Sequence, residues 1–239
     1  MQYKKKISVP TAAGIFGIAT VYFYLLLFTL FPFLKSNFHF NPSLNWFITG
    51  YFLFIPLFLY AILMTKREGR KSRKEVFEGL AIKQMSKEDW QVAILGTILA
   101  FIFSGVIFGG ATLLNKEFGV RMLNTTPWFM DEMQPYQGIE KLYLLIWLTM
   151  FFFNIVGEEI LWRGYIQNRM EGKWSWLVCA ILWTVFHLPF GFDIIVMAAP
   201  VLLIIPHIFA KRQNTTIGIF IHAVYNGPIF ILIALGFMS

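Results

Sequence analysis

Long runs of apolar residues, separated by short polar segments, dominate this chain. Seven runs have roughly the 20 residues that an α-helix needs to cross the hydrocarbon core of a bilayer. They are residues 11–34, 44–64, 90–115, 142–169, 174–190, 193–210 and 215–237. The pattern predicts an all-α polytopic membrane helix bundle with about seven transmembrane helices, and eight is the alternative count.

The organisation of the chain is simple. Of its 239 residues, 57% are hydrophobic and 14% are charged, a composition typical of membrane proteins. No internal repeat or low-complexity linker divides it, so we expect one integral membrane domain over residues 1–239. The first run has no small-residue cleavage site before the second begins, which favours a retained helix over a removed leader. Because no N-terminal organelle signal is visible, we expect a bacterial plasma membrane.

The basic residues are distributed unevenly, and this predicts an orientation. With the N-terminus in the cytoplasm, 16 of the 20 Lys and Arg residues fall on the cytoplasmic side. They are Lys4 to Lys6 and those within 66–87, 163–173 and 211–212. Such a bias follows the positive-inside rule. It accounts for the net charge of +7 without nucleic acid, so the expected partners are membrane lipids and not nucleic acid.

Two adjacent acidic residues, Glu158 and Glu159, follow the apolar run of 142–153 with no helix breaker between. Glu159 and Arg163 are four residues apart, with the acid nearer the N-terminus, which favours an ion pair on one helix face. Glu158 points about 100° away and lacks that partner. An ionised carboxylate deep in a membrane helix costs about 2.5–3.5 kcal/mol and usually has a function.

Other polar residues are predicted to lie at the same depth as Glu158. Gly172 is the expected turn after this helix; Glu158 lies 14 residues before it and His187 lies 15 residues after it. In an antiparallel hairpin the two side chains therefore share a level. His222 and Asn226 are four residues apart, so they occupy one face of the last helix.

Two further residues have simpler interpretations. Trp183, one turn before His187, is expected to pack against the imidazole as a wall of the site. His207, beside Pro206, is expected to be a helix-terminus residue. The structural alternative for the whole group is a set of buried polar side chains that join helices without chemistry.

The order of these residues resembles the CAAX protease and bacteriocin-processing family of intramembrane proteases. The segment EEILWR, from Glu158 to Arg163, fits the family pattern EExxxR. Trp183 to His187 fits FxxxH with tryptophan in place of phenylalanine, and HAVYN, from His222 to Asn226, fits HxxxN. The resemblance covers about residues 142–230, which would be the catalytic core.

The resemblance implies an intramembrane glutamate-type protease whose cavity opens to the cytoplasm. Glu158 would be the general base for a water molecule, helped by His187, and His222 and Asn226 would stabilise the oxyanion. Glu159 with Arg163 would hold the helix in place. The substrate would be a membrane-associated peptide or a lipidated protein.

Three alternatives remain at this point. Glu158, His187 and His222 could form a zinc site with two histidines and one glutamate, although the resemblance favours a site without a cofactor. Cys179, the only cysteine, excludes a thiolate cluster. A non-enzymatic bacteriocin-immunity or scaffold protein would not need Glu158. A proton-coupled transporter would use buried Glu and His but normally shows repeat-related halves, which are not visible here.

Overall fold

A computed structural model describes residues 5–38, 40–130 and 133–237, and every regular element within them is helical. Lys4, one of the basic residues counted above, lies outside these ranges. The helices, in chain order, are α1 Val9–Leu25, α2 Phe31–Phe38, α3 Pro42–Arg67, α4 Arg73–Gly79, α5 Lys87–Phe118, α6 Tyr143–Glu159, α7 Ser175–Phe186, α8 Phe192–Arg212 and α9 Thr215–Ala234.

Two of these helices continue through wider π-helical segments. A π-helix, Leu26–Leu30, joins α1 to α2, so the two form one continuous helix. A second π-helix, Ile160–Ile166, extends α6 and passes into a 3₁₀ turn, Gln167–Arg169. The second lies directly after the two glutamates, and π-helical segments occur frequently at functional sites.

Within the part of the chain that the structure describes, six helical stretches are long and apolar enough to cross a membrane: Val9–Phe38, Pro42–Arg67, Lys87–Phe118, Gly138–Arg169, Phe192–Arg212 and Thr215–Ala234. The protein is therefore a multi-pass membrane helix bundle. The predicted span 174–190 corresponds to the shorter apolar stretch Ser175–Phe190. Its α-helix ends at Phe186, and the 3₁₀ turn Leu188–Phe190 follows. Pro189, within that turn, has no backbone N–H with which to continue the α-helical hydrogen bonds. The count of seven helices and the cytoplasmic N-terminus stay predictions.

Packing places the helices that carry the motifs inside the bundle. The helix α6 contacts both α3 and α9, and α7 contacts α1 and α8. The helix α5 covers α8 and α9 from another side. The side chains that α6, α7 and α9 direct towards one another are therefore separated from the surrounding lipid by other helices.

One close approach fixes the position of α6 relative to the loop after α4. A Cβ atom at Gly164 would lie 2.6 Å from the carbonyl oxygen of Leu80, so only glycine allows this contact. The same carbonyl accepts a hydrogen bond from the Thr215 hydroxyl at 2.7 Å, and the Thr215 amide donates to Ala81 at 2.8 Å. The loop is thus held between α6 and the start of α9.

Candidate active site

Glu158 and Glu159 are the last two residues of α6, and both are buried, with 2% and 0% of their surface exposed. They have different partners because successive residues of a helix point in directions about 100° apart. Glu159 faces α9, and Glu158 faces α7.

Glu159 has two polar partners, the guanidinium of Arg163 and the imidazole of His222. The Nε atom of Arg163 lies 3.2 Å from Oε2 of Glu159, and Nη2 of Arg163 donates a hydrogen bond to Oε1 of Glu159 at 3.3 Å. The Nδ1 atom of His222 lies 3.0 Å from the same Oε1 atom. A carboxylate oxygen only accepts, so Nδ1 of His222 is the donor. Gly218, one turn before His222, leaves room for this carboxylate, because a Cβ atom there would overlap Oε2.

Glu158 has no arginine or lysine partner among the described residues. Its Oε2 atom accepts a hydrogen bond of 2.7 Å from the indole Nε1 of Trp183. The Nε2 atom of His187 lies 3.9 Å from the same oxygen, which is too far for a direct hydrogen bond. Glu158 is therefore oriented by a neutral donor and has an imidazole within reach of one bridging water.

His187 is held in one tautomer by the end of α7. Its Nδ1 atom lies 2.8 Å from the backbone carbonyl of Trp183, and because a carbonyl only accepts, Nδ1 carries the proton. In the neutral ring Nε2 is then the unprotonated atom, and it faces Glu158. The side chain of His187 is 12% exposed, compared with 3% for those of Glu158 and His222, so it lies nearest the surface.

Besides Glu158, Trp183 contacts three other ionisable groups of the cluster, and they are Arg163, His187 and His222. The Arg163 guanidinium lies 3.6 Å from the centre of its ring, an arrangement that favours a cation–π interaction. The rings of His187 and His222 meet it edge to face, at 5.3 and 5.4 Å between centroids. Sequence reasoning expected a packing wall and missed the hydrogen bond to Glu158. The available signal was the replacement of phenylalanine by tryptophan, which adds an N–H donor.

The structure brings together six of the seven predicted site residues: Glu158, Glu159, Arg163, Trp183, His187 and His222. Asn226 is one helical turn beyond His222, but its side chain is exposed and forms no hydrogen bond with any described residue. Its amide is therefore free to meet a bound molecule.

Two other polar residues lie outside this group. Asn154, one turn before Glu158, has a buried Oδ1 atom without a hydrogen-bond partner among the described residues, and the motifs do not include it. Its signal was a single amide within an apolar run. His207 is separate from the cluster and packs edge to face against Trp176 at 4.9 Å.

The alternative of a zinc site concerns Glu158, His187 and His222. Among the residues that the structure describes, no three His, Cys, Asp or Glu side chains are grouped so that they could hold a metal ion. Glu158 and His187 lie near each other, but Nδ1 of His222 is engaged by Glu159. Cys179 is buried and donates weakly to the carbonyl of Trp162 at 3.6 Å.

Comparison with known families supports the motif-based assignment. Residues 140–227 match the family model of type II CAAX prenyl endopeptidase Rce1-like proteins. The matched segment contains all three motifs, which confirms the resemblance to the CAAX protease family. No curated protein and no solved structure matched the chain in the two other comparisons.

Proposed function

We propose that this protein is an intramembrane endopeptidase that hydrolyses a peptide bond of a membrane-associated peptide or lipidated protein. The observation that carries the proposal is the contrast between two adjacent buried carboxylates. Glu159 is paired with Arg163, whereas Glu158 has only the Trp183 N–H and the nearby His187. A buried carboxylate without a cation is energetically costly, and ionisable residues that are present inside a membrane protein usually have a function. The family match over residues 140–227 supplies the reaction class.

The separation between Glu158 and His187 suits a catalytic water. Two acceptors 3.9 Å apart can each receive one hydrogen of a water molecule that lies beside them. The lone pairs of that water then point away from both acceptors, towards a scissile carbonyl carbon. As the water oxygen bonds to this carbon, Glu158 takes the proton as general base. The intermediate collapses when the C–N bond breaks and the amine nitrogen receives the proton.

His222 and Asn226 are assigned to the oxyanion of the tetrahedral intermediate. When both ring nitrogens of His222 carry protons, Glu159 holds Nδ1–H and Nε2–H is free to donate. The exposed amide of Asn226 lies one turn further along the same face of α9. Donors fixed in advance around a developing negative charge stabilise it with little reorganisation.

Glu159 and Arg163 act by positioning. Their ion pair has no exposed side-chain surface, and it connects through His222 to α9 and through the Trp183 ring to α7. The pair thereby fixes the rotation of α6, which directs Glu158 towards the indole N–H and the imidazole. Neither group needs to touch the substrate for this role.

The proposal includes the membrane arrangement predicted from the sequence. The chain has seven transmembrane helices in one domain, its N-terminus is cytoplasmic, and the site is reached from the cytoplasmic side of a bacterial plasma membrane. The distribution of the basic residues supports the orientation. The seventh span in this arrangement is the shorter apolar stretch Ser175–Phe190, whose helix α7 packs against α1 and α8.

The first test is Glu158→Gln, which keeps the size of the side chain and removes the base. Cleavage of a membrane-anchored reporter peptide by purified protein should fall by about 10²- to 10⁴-fold, the usual contribution of a general base. Glu78→Gln, at an exposed position of α4, is the matched control and should retain full activity. Full activity of Glu158→Gln would refute a base at this position.

The second test is Trp183→Phe, which retains an aromatic ring and removes the hydrogen bond to Glu158. A hydrogen bond to a charged group contributes about 1.5–3 kcal/mol, so the loss of carboxylate orientation should lower kcat roughly tenfold or more. KM should change little, because the indole contacts the base and not the substrate. Trp174→Phe, at an exposed indole, serves as the control. Equal kcat values in the two variants would remove Trp183 from the mechanism.

The third test separates the metal-free mechanism from a zinc protease. Zinc is measured in the same purified sample whose peptide cleavage is assayed before and after treatment with a chelator. We expect full cleavage at far below one zinc ion per chain and no loss on chelation. Stoichiometric zinc whose removal abolishes cleavage, and whose return restores it, would contradict the metal-free proposal.

A further inference from the structure

A cavity lies away from the glutamates, at the end of the bundle where most basic residues are found. It has a volume of about 390 Å³, within the range of small-molecule sites, and lies between the 3₁₀ turn Gln167–Arg169, the start of α7 and the end of α8. The lining residues used below are Gln167, Lys173, Trp176, His207 and Lys211. Gln167 is nine residues beyond Glu158, roughly 13 Å along a helix, so this cavity is separate from the candidate active site.

The charges around the cavity favour an anion. Lys173 and Lys211 line it from different helix ends, and both side chains are exposed. No Asp or Glu is among the described residues that line it. Glu171, the nearest acidic residue in sequence to Lys173, forms an ion pair with Lys6 at 2.6 Å. The two ammonium groups are therefore available to a bound phosphate or carboxylate.

Gln167 adds a requirement for a hydrogen-bond donor. Gln167 is only 4% exposed, and its Nε2 atom donates a hydrogen bond to the carbonyl of Pro206 at 2.8 Å. That bond fixes the orientation of the amide, because a carbonyl only accepts. The opposite atom, Oε1, is buried without a hydrogen-bond partner among the described residues. Gln167 lines the cavity, so a ligand whose hydroxyl or amine reaches the buried Oε1 atom supplies its missing donor.

The surroundings place the cavity at the depth of lipid headgroups. Trp174, beside it in sequence, is 57% exposed, and Lys173 lies 5.6 Å from the centre of its ring. Exposed tryptophans of membrane proteins are concentrated at the interface between water and hydrocarbon. The apolar helices α7 and α8 lead away from the cavity into the bundle, so a ligand with acyl chains could extend along them. Anionic lipids are attracted to clusters of Lys and Arg at this level.

We propose that this cavity binds the headgroup of an anionic phospholipid that carries hydroxyl groups. The phosphodiester lies between Lys173 and Lys211, and a headgroup hydroxyl donates to Oε1 of Gln167. His207, on the same wall as Lys211, offers a further ring nitrogen to the headgroup. The site is independent of the proposed proteolysis, since it shares no residue with the glutamate cluster.

The charge requirement is tested by lipid retention. Protein purified from bilayers of equal phosphatidylglycerol and phosphatidylcholine is analysed by native mass spectrometry for bound lipid. Each ammonium contributes about 1 kcal/mol, so Lys173→Gln combined with Lys211→Gln should lower phosphatidylglycerol retention about tenfold or more. Lys66→Gln combined with Lys71→Gln removes two exposed lysines elsewhere and should change retention little. Equal retention in the two double variants would overturn the site.

The donor requirement and the source of the ligand are tested with two other probes. Phosphatidylmethanol has the same charge as phosphatidylglycerol but no headgroup hydroxyl, so the wild-type protein should retain it several-fold less. Gln167→Met should abolish that preference while leaving the thermal midpoint near that of the wild type. Absence of any preference in the wild type would overturn the role of Gln167. Displacement of phosphatidylglycerol by millimolar inorganic phosphate would overturn the assignment to a lipid in favour of a soluble phosphate compound.

Discussion

The carboxylate of Glu159 lies inside the bundle without exposed surface, and it is held by Arg163 from its own helix and by His222 from α9. Removing a charge from water is expensive, and only close, well-oriented partners offset that cost. The pairing therefore permits few positions of α6 relative to α9. Gly218 makes the approach possible because it leaves space for the carboxylate oxygen. The placement of Glu158 depends on this constraint, since it fixes which way the end of α6 faces.

Trp183 connects the paired carboxylate to the unpaired one. The Arg163 guanidinium lies over its ring, and its N–H donates to Glu158. A shift of the ion pair would therefore displace the indole and, with it, the orientation of the proposed base. The next residue along this path is His187, whose tautomer is set by the backbone carbonyl of Trp183. Three interactions therefore organise the cluster. Trp183 donates a hydrogen bond to Glu158 and accepts one from His187, and Arg163 forms the buried ion pair with Glu159.

Hydropathy and spacing predicted much of this arrangement, and their failures have physical causes. Apolar runs locate helices because the bilayer demands them, but the run at 174–190 did not reveal that the α-helix ends at Phe186, three residues before Pro189. The π-helix after Glu159 has no clear sequence signal, because its hydrogen bonds depend on packing. The hydrogen bond from Trp183 to Glu158 was not predictable, because the sequence does not show which edge of the indole ring faces α6. The exposure of Asn226 was likewise not predictable, since periodicity gives a face of α9 but not what covers it.

Glu159 has a structural role and Glu158 a catalytic one in this account. Thermal unfolding of two matched variants in the same detergent tests that division most directly. Glu159→Gln removes the partner of a buried guanidinium, which costs about 3–5 kcal/mol, so its midpoint should fall by about 6 °C or more. Glu158→Gln removes a buried charge that has no cation, so its midpoint should equal or exceed that of the wild type. A lowered midpoint for Glu158→Gln together with an unchanged midpoint for Glu159→Gln would contradict the account.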